Sequence, residues 1–129
     1  IHAGWRGTRL RIVSKTLQEM HKVYGTVPSD CTAAIGPGIS QDSFEVGQEV
    51  VDAFVEAGFD MDDFVIMKKK PHIDLKALNK YQLTSMGVKA QNIFVSDVDT
   101  FTNSDYFSAR REQHGDIKCG RILSGFMLK

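Results

Sequence analysis

The segment His2-Ala3-Gly4-Trp5-Arg6-Gly7-Thr8 gathers side chains that can do chemistry within seven positions. An imidazole at the end of a strand can bind a metal or move a proton. The glycines let backbone turn sharply and approach a ligand closely. Arg6 offers a planar fork for an anion, and Trp5 offers a stacking face. Thr8 suits a helix N-cap, and a helix N-terminus attracts negative charge. The same residues also suit a plain glycine turn with a surface histidine, and composition alone leaves both readings open.

Two further segments have similar potential. Ile35-Gly36-Pro37-Gly38-Ile39-Ser40 is a strand-to-helix turn that fits either a ligand-facing loop or a simple connection. Phe107-Ser108-Ala109-Arg110-Arg111-Glu112, with Thr100 and Asn103 upstream, sets two arginines beside a serine. That grouping suits phosphate or carboxylate, or else an exposed charged loop. The run Lys68-Lys69-Lys70-Pro71-His72 reads as a solvated face. His21, His72 and His114 read as surface or structural residues. Asp97 and Asp99 join His2 only if the fold brings them together. One histidine cannot hold a catalytic zinc, which takes three protein ligands.

Elements must position these groups. Leu10, Val13, Leu17, Met20 and Val23 recur at helical spacing, which predicts a helix from Thr8 to a stop at Gly25. Cys31–Ile35 reads as a short buried strand. Ser40 or Asp42 then caps a second helix through Phe44, Val46, Val50, Val51, Phe54 and Val55, closed by Gly58. Phe64–Met67 reads as a strand. Asp74 caps a third helix carrying Leu75, Leu78, Tyr81, Leu83 and Met86, ending at Gly87. Asn92–Ser96 is a strand, 97–105 a loop, Tyr106–Arg111 a short strand or turn, and Gly120–Leu128 a closing strand. Strands interleaved with helices predict a layered α/β or α+β domain.

Composition narrows the class. The 129 residues suit one domain, and hydrophobic (42%) and charged (25%) fractions are ordinary for a globular chain. Sixteen basic and sixteen acidic residues cancel, so the basic excess of a nucleic-acid binder is missing. Cys31 and Cys119 lie far apart, without zinc-finger spacing, and point to a reduced, cytoplasmic protein, with a single disulfide as the alternative. No apolar run is long enough for a bilayer, and the opening residues lack the basic region and apolar stretch of a signal peptide. The chain opens on Ile1 in mid-element, which predicts residues upstream in the intact protein.

In order along the chain, the motifs resemble the YfiH-type laccase-domain family, purine nucleoside phosphorylases of the multicopper polyphenol oxidase type. The resemblance rests on His2–Gly7, on Ile35-Gly36-Pro37-Gly38-Ile39 and on Phe44-Glu45-Val46-Gly47. It continues through Asp74-Leu75-Lys76-Ala77-Leu78-Asn79, Phe107-Ser108 with Arg110-Arg111, and Gly120-Arg121, and so covers essentially the whole chain. Three positions depart from the pattern. Asp99 stands where many members have cysteine, Ala109 replaces an aromatic residue, and Gly38 is cysteine in many members.

The resemblance implies an α+β fold, a layered α/β/β/α sandwich of which residues 1–129 are the C-terminal part. It implies phosphorolysis of adenosine, inosine, guanosine and methylthioadenosine with phosphate as co-substrate, alongside adenosine deamination. Copper-dependent phenol oxidation is the alternative, and an inactive fragment or self-associating module is another. A zinc ion, with copper as the alternative, is implied on two histidines and a cysteine. His2 inherits one ligand role, and its partners lie upstream; Cys31 and Cys119 do not match the ligand cysteine. Catalytic candidates are therefore His2, Arg6, Ser108 and Arg110. Substrate-binding candidates are Gly4, Trp5, Arg6, Arg110 and Arg111. The partners implied are a purine nucleoside and phosphate, with neither nucleic acid nor membrane, and self-association through any uncovered sheet edge.

Overall fold

The computed structural model describes residues 1–115 and 120–127. In chain order the elements are α1 (Trp5–Arg9), α2 (Ile12–Tyr24), β1 (Ala33–Ile35), α3 (Gln48–Glu56), β2 (Val65–Met67), β3 (Pro71–Ile73), α4 (Leu75–Ser85), β4 (Ile93–Val95) and α5 (Ala109–Gln113). The architecture is the α+β class that the sequence predicts. β1 pairs in parallel with β4, in register Ala34 to Phe94. β2 and β3 form an antiparallel hairpin, Ile66 opposite His72. Among the described residues no helix is long and apolar enough to cross a membrane.

Two apolar clusters hold these elements. Phe44, Val46, Val51, Phe54, Phe59, Ile73 and Leu78 form one, with Trp5 packed against it. Phe54 is fully buried and meets Phe59 edge-on at 5.5 Å; truncating such a ring costs about 3–5 kcal/mol. Val13, Leu17, Leu83, Val88 and Ile93 form the other.

The single helix expected from Thr8 to Gly25 is two helices. Arg11 between them adopts a left-handed conformation (φ 58°). Trp5 packs on the first cluster while Val13 and Leu17 enter the second, and the break redirects the chain from one to the other. Gly4, not Thr8, is the residue before the first helical turn. Gly25 ends α2 with φ 68°, as expected of a C-terminal glycine.

Residues 40–47 are not helical, contrary to the apolar spacing. Phe44 and Val46 pair with β3 instead: Val46 N–H donates to Pro71 O (2.9 Å) and Ile73 N–H to Phe44 O (3.2 Å). That ladder uses the backbone groups a helix would need. α3 starts only after Gly47. The strand β3 itself was hidden behind the lysine run. Asp74 does cap α4, accepting from Ala77 N–H at 2.8 Å. Gly87 follows that helix with φ 98°.

Near the end, Ser108 opens α5 where a strand or turn is expected. Residues 120–127 form no strand, against the closing strand expected there. A strand is stable only with a ladder partner, and among the described residues no strand pairs with 121–127. Leu123, Phe126 and Met127 are accordingly exposed. Leu128 and Cys119 lie outside the described residues.

Candidate functional site

The opening motif is held from below by a buried polar relay. Thr8 is fully buried. Its hydroxyl donates to Ala3 O (3.1 Å) and accepts from Asn79 Nδ2 (3.1 Å). Asn79 also donates to Leu75 O (2.7 Å), and Gln82 Nε2 donates to Thr8 O (2.8 Å). Gln82 Oε1 accepts from Ser14 N–H (3.4 Å). α4 thereby fixes α1, the start of α2 and the loop that carries His2. A buried polar network of this kind rigidifies when every member is satisfied.

Above this relay the candidate groups face solvent. His2 is exposed, and its Nε2 lies 2.9 Å from where a Cβ on Gly4 would stand. Only glycine at position 4 leaves the ring where it is. Trp5 is half-buried, and the exposed Arg6 guanidinium lies 4.5 Å from its ring centroid. Stacking of this kind keeps the guanidinium edge free for hydrogen bonds.

The loop 36–44 is tied to loop 96–101. Asp99 accepts from Ser40 Oγ (2.7 Å), Ser40 N (3.2 Å), Phe101 N (2.8 Å) and the Ser43 hydroxyl. Burial alone would raise its pKa, but the hydrogen bonds from Ser43, Phe101 and Ser40 outweigh that and lower it to about 2. A carboxylate so stabilised is a clamp rather than a base. Lys76 adds a second tie, donating to Ser96 O and Val98 O at 2.8 Å each. Sequence reasoning missed both clamps, since they join residues far apart in the chain.

The two arginines of α5 diverge. Arg111 donates from Nη1 to Phe101 O (3.1 Å) and Asn103 O (2.8 Å), and from Nη2 to Tyr106 O. Its fork organises the 101–106 loop. Among the described residues Arg110 makes one such bond, Nη1 to Glu45 O at 2.7 Å, and lies 5.2 Å from the Phe44 ring centroid. A guanidinium has five N–H groups, so toward the described residues Arg110 retains most of its donor capacity. Ser108 is buried as the cap of α5, accepting from Arg111 N–H (3.4 Å). His72, expected at the surface, is buried: Pro71, His72 and Ile73 are all enclosed in β3.

Among the described residues, no hydrogen bond or ion pair joins His2–Gly7 to Ser108–Arg111, and no three His, Cys, Asp or Glu side chains are grouped to hold a metal. His2 offers one imidazole, and a zinc centre takes three or four protein donors. These residues do not by themselves fit a metal ion.

The family model described as multi-copper polyphenol oxidoreductase laccase matches residues 1–129. The chain belongs to that family. One member, named purine nucleoside phosphorylase, from Bacteroides thetaiotaomicron, is 48% identical over 99% of this chain and 48% of its own length. Another, adenosine deaminase RL5 from an unknown prokaryotic organism, is 43% identical over 99% of this chain and 49% of its own. Among solved structures, the Bacillus licheniformis protein YfiH superposes with a TM-score of 0.79 at 29% identity, over 87% of this chain and 43% of that one. The laccase-family chain thus spans about half the length of the curated relatives it matches, and its fold is partial relative to theirs.

Proposed function

We propose that this laccase-family chain supplies one wall of a purine nucleoside phosphorylase, residues 1–129 being the C-terminal part of its single domain. The observation that carries the reading is the 48% identity, over 99% of the chain, to a relative of that name. Adenosine, inosine, guanosine and methylthioadenosine are the substrates of this reading. Adenosine deamination is a second activity, favoured by the 43% identity to a relative named for it.

In phosphorolysis a phosphate oxygen bonds to ribose C1′ as the C1′–N9 bond breaks. The bonding pair leaves with the purine, which takes up a proton. Positive charge spreads over the sugar while the phosphate stays anionic. Arginines that hold the phosphate in line contribute by positioning and electrostatics. Arg6, stacked on Trp5, and Arg110, with most of its N–H groups unused among the described residues, fill that role. Trp5 and Gly4 line the nucleoside side. Arg111 holds the loop beside α5, and Ser108 starts the helix that carries both arginines. His2 is one ligand of a zinc or copper ion whose other donors lie outside these residues.

The test is made on the protein at the relatives' full length. Each of the four nucleosides is incubated with and without phosphate, and ribose-1-phosphate and free base are measured. Phosphate-dependent release of both is expected. Oxygen uptake with a phenol and no base release would replace this reading with the laccase one.

A further inference from the structure

We propose that His72 is a positioning residue that seats Arg110 for phosphate, by fixing the Phe44–Val46 segment on which the guanidinium rests. The proposal rests on the phosphate-holding role given to Arg110 above.

The argument starts at the hairpin edge. Phe44–Val46 adds to the free side of β3, with Glu45 directly opposite His72. The two flanking bonds, Val46 N–H to Pro71 O and Ile73 N–H to Phe44 O, make Glu45 and His72 a non-hydrogen-bonded pair. In such a pair the side chains sit close on one face, and the backbone N–H and C=O point away from the partner strand. The Glu45 carbonyl is therefore an outward edge acceptor, and Arg110 Nη1 occupies it at 2.7 Å. The Phe44 ring supplies the second side of the seat, 5.2 Å from the guanidinium.

His72 holds this edge in place. It is 7% exposed, and its Nδ1 lies 3.0 Å from Gln41 O. A carbonyl only accepts, so Nδ1 carries the proton, which fixes the tautomer. Nε2 then faces Glu45 Oε2 at 3.9 Å, and Lys70 Nζ lies 3.3 Å from Glu45 Oε1. The start of the segment is thus bonded through Gln41 and its centre is flanked through Glu45. Removing the imidazole takes away the Gln41 bond and the packing beside Glu45 while the backbone ladder to β3 remains, so Arg110 keeps its charge on a looser seat. An arginine held on a rigid edge presents its remaining N–H groups in one geometry, which lowers the ordering cost of taking a phosphate.

The variants are His72→Leu, His72→Asn and Phe44→Leu in the full-length protein. The readouts are inorganic phosphate binding by calorimetry, and KM for phosphate and for nucleoside with kcat. His72→Leu should raise the phosphate Kd and KM about tenfold, the effect of one lost buried hydrogen bond, with nucleoside KM unchanged. His72→Asn, whose amide can still donate to Gln41 O, should recover most of that loss. Phe44→Leu, which removes the other side of the seat, should weaken phosphate alone; if His72→Leu does not fold, His72→Ala carries the same prediction and decides the matter. Phosphate affinity unchanged in a folded His72→Leu, a parallel rise in both KM values, or no recovery in His72→Asn would overturn the proposal. Tight phosphate binding that His72→Leu weakens, in a protein without phosphorolysis, supports the seat and removes the activity. Phosphorolysis insensitive to His72 does the reverse.

Discussion

Asn79 donates a hydrogen bond to Thr8 across 71 residues of sequence, at 3.1 Å, inside the core. This contact joins the site's opening motif to α4 and makes the position of His2 a property of the fold. Thr8→Val keeps the shape but leaves Ala3 O and Asn79 without their partner. It should cost about 1–3 kcal/mol in urea denaturation, and Thr8→Ser clearly less. An equal loss in both variants would mean that packing, not the hydroxyl, holds the junction.

Gly4→Ala separates stability from function. The new Cβ would stand 2.9 Å from His2 Nε2, and the exposed ring can swing aside. The melting temperature should hardly move, while nucleoside cleavage by the full-length protein should fall by about tenfold or more, as misplaced catalytic groups do. Full activity in Gly4→Ala would show that the ring position is not needed.

Arg11 carries a left-handed backbone together with useful side-chain contacts. Its Nη2 donates to Gly58 O (3.2 Å), and its guanidinium lies 4.1 Å from the Phe59 ring centroid. Alanine loses the contacts and keeps the strain; glycine loses the contacts and relieves it. Arg11→Gly should therefore be more stable than Arg11→Ala by roughly 1 kcal/mol, the size of the left-handed penalty. The usual order of the two residues in helices is the opposite, so the sign alone decides.

Asp99 links stability to pH. Its folded pKa of about 2 lies below the ordinary value of 3.8. The folded state therefore binds its proton less readily, and the stabilisation is fully present above pH 4. It is lost as pH falls from about 4 towards 2. Asp99→Asn should lower the urea midpoint at neutral pH and flatten the profile across that window. A wild-type profile as flat as the variant's would contradict the clamp.

The sequence reveals what is locally encoded. α4 has its cap at Asp74, its apolar period and its glycine stop within 14 consecutive residues, and it forms as expected. Residues 40–47 carry an equally helical spacing but are claimed by β3 and by Asp99, partners whose distance no local pattern displays. His72 was masked by three lysines that are indeed exposed, while Pro71 and Ile73 on either side of it are buried. Arg110 and Arg111 are the same residue type on adjacent positions. Only the carbonyls around them distinguish a loop organiser from a guanidinium with donors to offer. The His2–Gly7 motif was legible as a set of types, but not the Thr8–Asn79 relay that fixes it.

His2→Ala in the full-length protein tests the central claim most directly, because an exposed side chain with no hydrogen bond among the described residues can be removed without unfolding the chain. The measurement is bound metal by mass spectrometry together with ribose-1-phosphate release from inosine. The account predicts that metal and activity are lost together while the melting temperature is retained. Wild-type turnover in a folded His2→Ala protein would contradict it.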